Sequence, residues 1–506
     1  MAYGARRQPR GKFLIPGRSW IWPGLVFIVC VAAVVWPIVV LPVIGGALLL
    51  AAAVFLPRTT VGLAVLAIVF VRTLEHLVPI EQLGYLDEAM VVLCAVVLPL
   101  RRLGQGHRLR SLPGQGWFVA FAVLGFASGV VAGVTPTILL LGAFVLCKGL
   151  IFGWAVAQLD WTESQLHATA RAGVVVIGVS LLAVAANVVV TGVWVGLLAE
   201  KGAVDNRFGF ASLIGPFVHP LDLGAIMTAS SIALLAWRAT VGKRPLTLFL
   251  MIATGAAAAL SFRRTAQSGL LVAAVWLKVK LRDTRQLLAL VIVVPIAVVL
   301  LFGSLQMLLS LTYDDYIVGA GSSARTVLTT DSFSLAVHRF PFGAGFGRFG
   351  SQVAAENYSP EYLARGYPAI WGLGTTQLTG QFLTDTEWPA LVGETGLLGA
   401  GAFLLGLVAV YRRGHRLWKS GAPPLMRWVG LLVTGWIVVY LVESIGNAVF
   451  TGPPAYGPLF ALFGIVAAVS NRETGPGRTP EERVAAWRDR LRVRFVRSRD
   501  SRPILR

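Results

Sequence analysis

Charge is what this sequence has least of. Asp, Glu, Lys and Arg make up 13% of its 506 residues, about half of what a soluble domain carries. That scarcity excludes a solvated globular domain of any size. Cysteine is nearly absent too: Cys30, Cys94 and Cys147 all fall in apolar stretches, which excludes a disulfide framework or a thiolate metal cluster as the organising device. Acidic residues number 24 against 44 Lys and Arg, a formal charge of +20. Much of that excess lies in short loops and the C-terminal tail, so it reports membrane orientation and no nucleic-acid partner.

What fills the chain is hydrophobic sequence, 56% of it, in runs of about 18 residues or more that recur from Trp20 to Ser470. The fold class is therefore all-α: a polytopic integral membrane protein with about 12–14 transmembrane helices and one long extracytoplasmic loop. Counted as fourteen, the spans lie near 20–38, 41–56, 60–77, 85–100, 117–134, 137–157, 171–192, 221–237, 246–260, 266–279, 286–305, 389–410, 428–447 and 456–470. The first two are broken by Pro37 and Pro42 and form either one hairpin or one long kinked span. The basic leader 1–19 lacks a small-residue cleavage site, so the first helix is not read as a removed signal peptide.

Alternation puts four basic clusters on one face: Arg101-Arg102 to Arg110, Arg238 to Arg244, Lys278 to Arg285, and Arg412-Arg413 to Arg416. The positive-inside rule makes that face cytoplasmic, with both termini. In the tail, 471–506, a Thr479-Pro480 helix start precedes Val484, Trp487, Leu491 and Phe495 at helical spacing among arginines, which reads as an amphipathic anchor on the inner leaflet. Segment 306–388 is then extracytoplasmic, as are loop 193–220 and the hairpin 261–268, between the N-terminal spans of 20–305 and the C-terminal spans of 389–470.

The insertion bias disfavours arginine on the outer face, yet Arg207, Arg263, Arg264, Arg325, Arg339, Arg348 and Arg365 are all expected there. Forked guanidinium donors suit phosphate oxygens, and several converging on one outer pocket would hold a lipid-linked pyrophosphate. The plainer alternative is a solvated or snorkelling charge, the better reading for Arg348 and Arg365. His219-Pro220 marks a helix start where free N–H groups face an anion, or where His219 simply caps the helix. Asp385 and Glu387 precede the next span. A carboxylate there acts as general base on an acceptor hydroxyl, or caps the helix, or pairs with an arginine. His338 and Arg339 lie in the same outer segment.

Gly345-Phe-Gly347-Arg-Phe-Gly350 matches the dinucleotide fingerprint, but no βαβ unit is possible here and the loop faces away from nucleotide pools. It reads as a glycine-rich turn that tucks Phe346 and Phe349 against the membrane surface. Within the spans, Arg72 and Glu75 are spaced to pair, and Lys148 and Glu443 call for a buried partner or a cavity.

With these residues in view, the chain resembles the O-antigen ligase and polysaccharide polymerase superfamily. The resemblance is carried by Arg207-Phe-Gly with His219-Pro220, by Arg264-Thr-Ala in the short hairpin, and by Arg325 through Gly347 with Glu394-Thr-Gly-Leu-Leu-Gly399. Ligases of that family place a histidine nine residues before the glutamate; here the position is Asp385, which leans towards a polymerase-like member or one whose base is Asp385. The resemblance implies a C-type glycosyltransferase fold, a polyprenyl-pyrophosphate-linked glycan as donor, a glycan acceptor, no metal and no cofactor. Arg207 and Arg264 would stabilise the departing pyrophosphate. Arg263, Arg325, His338, Arg339, His219 and Glu387 would line the substrate. A glycolipid transporter or flippase is the alternative; it predicts an internal repeat and a polar midplane cavity, and no clear repeat is read.

Overall fold

A computed structural model of the chain describes residues 37–78, 80–207, 209–281, 323–376 and 382–472. The spans expected at 20–38 and 286–305, and the amphipathic tail, lie wholly or mostly outside the described residues. The chain divides into two units, Met1–Thr60 and Val61–Arg506. In the first, the described part is α1 (Pro37–Phe55) and the opening turn of α2 (Pro57–Leu77).

The second unit continues α2 and adds α3 (Leu86–Gly104), α4 (Gln115–Val131), α5 (Pro136–Ala157), α6 (Glu163–Val189) and the short α7 (Thr191–Leu198). A two-residue ribbon follows, β1 (Asn206–Arg207) antiparallel to β2 (Phe210–Ala211). Then come α8 (Pro220–Thr240), α9 (Pro245–Leu260) and α10 (Arg264–Leu281). The described part of segment 306–388 holds α11 (Ala324–His338), α12 (Gln352–Glu356) and α13 (Pro360–Ala364). The chain closes with α14 (Trp388–Lys419), α15 (Pro424–Glu443) and α16 (Tyr456–Arg472).

The fold is all-α, and each predicted span inside the described residues is helical. Seven of the described helices are long and apolar enough to cross a membrane: α2, Gln82–Gly104, α5, α6, α8, α14 and α15. Four shorter apolar helices accompany them, at Gly45–Phe55, Gln115–Val131, Pro245–Leu260 and Tyr456–Ser470.

Local sequence sets several starts. Thr162 accepts the Gln165 N–H while the Gln165 side chain returns to the Thr162 N–H, a capping box that opens α6. Proline in the first turn opens α5, α8, α9, α14 and α15, where its missing N–H costs nothing.

Between helices, glycine allows close approach. Gly149 and Gly153 of α5 sit against Phe460 of α16, and Gly414 of α14 lies against Gly430 of α15. α14 packs along α4 on one side and α15 on the other, with α11 also resting on it. The described part of segment 306–388 has its own core of Leu328, Leu335, Phe349, Tyr362, Tyr367 and Leu383, with Tyr362 and Tyr367 stacked at 5.3 Å. It is thus a packed helical cap, not an open loop.

Candidate functional site

A buried carboxylate is central to the cap's attachment to the membrane helices. Glu394, fully buried in α14, accepts from the Gly347 N–H at 2.9 Å, the Phe349 N–H at 3.0 Å and the Ser351 hydroxyl at 2.5 Å. The neighbouring carbonyls of Gly393 and Glu394 accept from Ala344 and Gly345 at 2.7 and 2.9 Å. Those carbonyls are open to outside donors because the helix breaks at Gly396, where φ is 73° and ψ 176°. A Cβ at Gly396 would lie 2.7 Å from the Phe342 carbonyl, so glycine is required by both conformation and space. A Cβ at Gly347, where φ is 78°, would likewise lie 2.8 Å from the Ile138 carbonyl oxygen.

The run of N–H groups that a dinucleotide fingerprint offers to a pyrophosphate is here filled by the protein's own carboxylate. The two phenylalanines do not lie on the membrane surface as expected. Phe346 is buried against Phe121 and Phe126 of α4, and Phe349 beneath Tyr362 and Tyr367, because Glu394 pulls the loop inward.

A second group forms where loop 199–219 meets the α9–α10 hairpin. The Leu213 N–H donates to the Leu260 carbonyl at 3.1 Å, which ties the loop to the end of α9. Arg263 donates to the Ala203 carbonyl at 2.7 Å and pairs with Asp205 at 3.5 Å. His219 accepts the Leu221 N–H on Nδ1 at 3.1 Å and so caps α8, which leaves its proton on Nε2. Burial, then the Arg263 and Arg72 charges, push the imidazole down to about 4, so it is neutral near pH 7. Arg72 does not pair with Glu75 as its spacing suggests. It reaches Asp222 of α8 at 3.4 Å, because the partner lies across a helix interface and not along its own helix. Arg207 lies in β1, two residues from Asp205, and its side chain is outside the described residues. Arg264 is the first residue of α10 and is itself engaged.

The remaining expected residues fall into two further groups. Arg325, in the first turn of α11, pairs with Asp385 at 2.9 Å, both about one-third exposed. Glu387 is 1% exposed, and its oxygens accept from the Phe450 N–H at 2.9 Å and the Thr451 hydroxyl at 3.0 Å. It clamps the α15–α16 connection onto the start of α14, and burial raises its carboxyl to about 7 against those hydrogen bonds. Arg339 reaches Glu361 at 3.1 Å. Arg348 and Arg365 are not solvated charges: they converge on the same Glu361 at 3.3 and 3.5 Å, and Arg365 also lies over the Phe349 ring. His338 ends α11 exposed, its Nδ1 2.7 Å from the Ser334 carbonyl oxygen.

Glu361, Asp205 and Asp331 escaped sequence reasoning. Glu361 had a signal: between Arg339 and Arg365 it shares the stretch with only one other carboxylate, Glu356, so three cations there had few possible partners. Asp331, which accepts from the Tyr367 hydroxyl at 2.8 Å, had none.

At membrane depth Lys148 meets Asp87 at 2.9 Å and Glu88 at 2.5 Å, with the Tyr456 hydroxyl donating to Asp87 at 2.8 Å. Glu443 is 1% exposed and neither of its oxygens has a hydrogen-bond partner among the described residues. No three His, Cys, Asp or Glu side chains among the described residues gather as a metal cluster would.

No family model and no curated protein matches the chain.

Proposed function

We propose that this protein transfers a glycan from a polyprenyl-pyrophosphate-linked donor to an acceptor hydroxyl on the outer face of the membrane, in the manner of O-antigen polymerases and ligases and on a C-type glycosyltransferase fold. The observation that carries the reading is the meeting of Arg263, His219, Asp205 and Arg72 where loop 199–219 joins the hairpin that opens into Arg264. Cations held at that lip suit the pyrophosphate of a lipid whose tail lies in the bilayer.

The acceptor oxygen attacks the anomeric carbon and forms the new glycosidic bond. The carbon–oxygen bond to the pyrophosphate breaks, and the pyrophosphate departs with the electron pair. Arg207 and Arg264 stabilise the charge that develops on it, an electrostatic role often among the largest in catalysis. Asp385, oriented by Arg325, accepts the hydroxyl proton. The cap pinned by Glu394 shields the glycan from water, which competes as acceptor.

The transport reading rests on Lys148 and Glu443, charged groups at membrane depth. The Lys148 cluster favours a structural role, since its cation is matched by two carboxylates.

The deciding experiment incubates the protein in lipid with polyprenyl-pyrophosphate-linked glycans from its host. Wild type is expected to release polyprenyl pyrophosphate and lengthen or transfer the glycan, while Arg207→Ala and Arg264→Ala abolish release at normal expression. Wild-type transfer by both variants would overturn the pyrophosphate site, and no release by wild type would favour transport.

A further inference from the structure

At the end of the molecule where α14 finishes and α4 begins, a groove of about 530 Å³ opens between α14, α4 and α16. One wall is apolar: Trp117, Leu405 and Val408 line it and are 48%, 44% and 40% exposed. These residues sit on apolar helices, so that exposure faces lipid. The rim is cationic, formed by Arg412, Arg413 and Arg416. Arg413 is tied inward, donating to the Ser470 carbonyl at 2.8 Å. Arg416 donates from Nε to the Arg412 carbonyl at 3.3 Å, and among the described residues no carboxylate pairs with Arg412 or Arg416.

Depth agrees with chemistry. Arg412, Arg413 and Arg416 stand at the C-terminal end of α14 beside Trp117, and basic and tryptophan side chains favour the headgroup layer. A soluble phosphate would use the rim and leave the apolar wall idle, whereas an amphiphile with an anionic head uses both. We propose that this groove binds an anionic phospholipid of the adjoining leaflet, its phosphate held by Arg412 and Arg416 and the upper part of an acyl chain lying over Trp117, Leu405 and Val408. The inference stands apart from the glycosyl-transfer reading.

The test uses the full-length protein in phosphatidylcholine nanodiscs doped with phosphatidylglycerol, released into native mass spectrometry to count retained lipid. Wild type is expected to prefer phosphatidylglycerol. Each basic residue near a charged surface contributes about fivefold to such attraction, so Arg412→Gln with Arg416→Gln weakens retention roughly 25-fold. Val408→Glu, which keeps both arginines but places a carboxylate in the wall, lowers retention likewise, so the result does not hang on one variant's folding. Lys243→Gln with Arg244→Gln, on the same basic face, leaves retention unchanged. Equal retention of the two lipids by wild type would overturn the proposal. So would equal losses in the control variant, or displacement of the lipid by millimolar inorganic phosphate.

Discussion

Glu394 accepts the Gly347 N–H at 2.9 Å across 47 residues of sequence, and that contact seats the cap in the broken helix α14. The carboxylate takes three donors, none of which has water as a substitute. Glu394→Ala is expected to cost on the order of 3–5 kcal/mol, seen as a fall in the thermal midpoint in detergent. Glu394→Gln should rescue only partly, because its amide would turn a donor towards the Gly347 or Phe349 N–H. Full rescue would show that the negative charge and double acceptor are not what hold the cap.

Lys148 sits between Asp87 and Glu88 beneath the Tyr456 ring. Lys148→Met strands two carboxylates in the interior and should destabilise by roughly 3–5 kcal/mol. Adding Asp87→Asn and Glu88→Gln should recover a large part of the loss. Thermal unfolding of the series checks this, and an unchanged triple variant would rule out charge stranding as the cause.

His219 gives a pH signature with a definite sign. Its folded value of about 4 lies below the ordinary 6.5, so as pH falls between those values the unfolded chain takes up a proton that the folded chain does not. Stability is therefore lost from about pH 6.5 down towards 4. Glu387, raised to about 7 from 4.5, acts in the opposite direction, gaining stability as pH falls through its own window. The readout is thus a difference. His219→Asn, which retains an N-cap, should grow more stable relative to wild type by on the order of 2 kcal/mol between pH 6.5 and 4.5. A pH-independent difference would contradict the assigned environment.

Arg325 and Asp385 form a partly exposed pair, so losing it should cost no more than about 1 kcal/mol of stability. If Asp385 accepts the acceptor's proton, Asp385→Asn should nonetheless lower glycan transfer by about 100-fold or more. Arg325→Gln should reduce it less, since it removes only the orienting partner. Transfer at wild-type rate in Asp385→Asn would assign the proton to another group.

Among the described residues Glu443 has no hydrogen-bond partner on either oxygen, and it lies in the seam between α15 and α10, where Gly269 leaves it room. Glu443→Gln should be tolerated, with a thermal midpoint equal to or above that of wild type, because the amide is isosteric and breaks no hydrogen bond of the carboxyl group among the described residues. A large destabilisation would reveal a partner for the carboxylate.

The helices themselves were legible from the sequence, because a membrane span must be long, apolar and internally hydrogen-bonded, and those demands are local. The assignment of Arg101, Arg238 and Arg412 to one face is an expectation from composition alone. The cap at His219-Pro220 could be read for the same reason as the helices: His219 acts on backbone two residues from itself.

Partners were a different matter. Arg72 passed over Glu75, three residues away, for Asp222, 150 residues on, and Glu361 gathered Arg339, Arg348 and Arg365. The glycine run 343–350 looked like a free turn and is the cradle of Glu394. Such pairings follow from which helix faces meet, and that is fixed by packing glycines such as Gly149 and Gly414 across the whole bundle. Sequence alone thus determined that the chain crosses a membrane and where its charges are scarce. Only the tertiary structure decided which of those few charges hold the fold and which remain exposed, because desolvation leaves a buried charge stable only where the packed neighbours supply its partner.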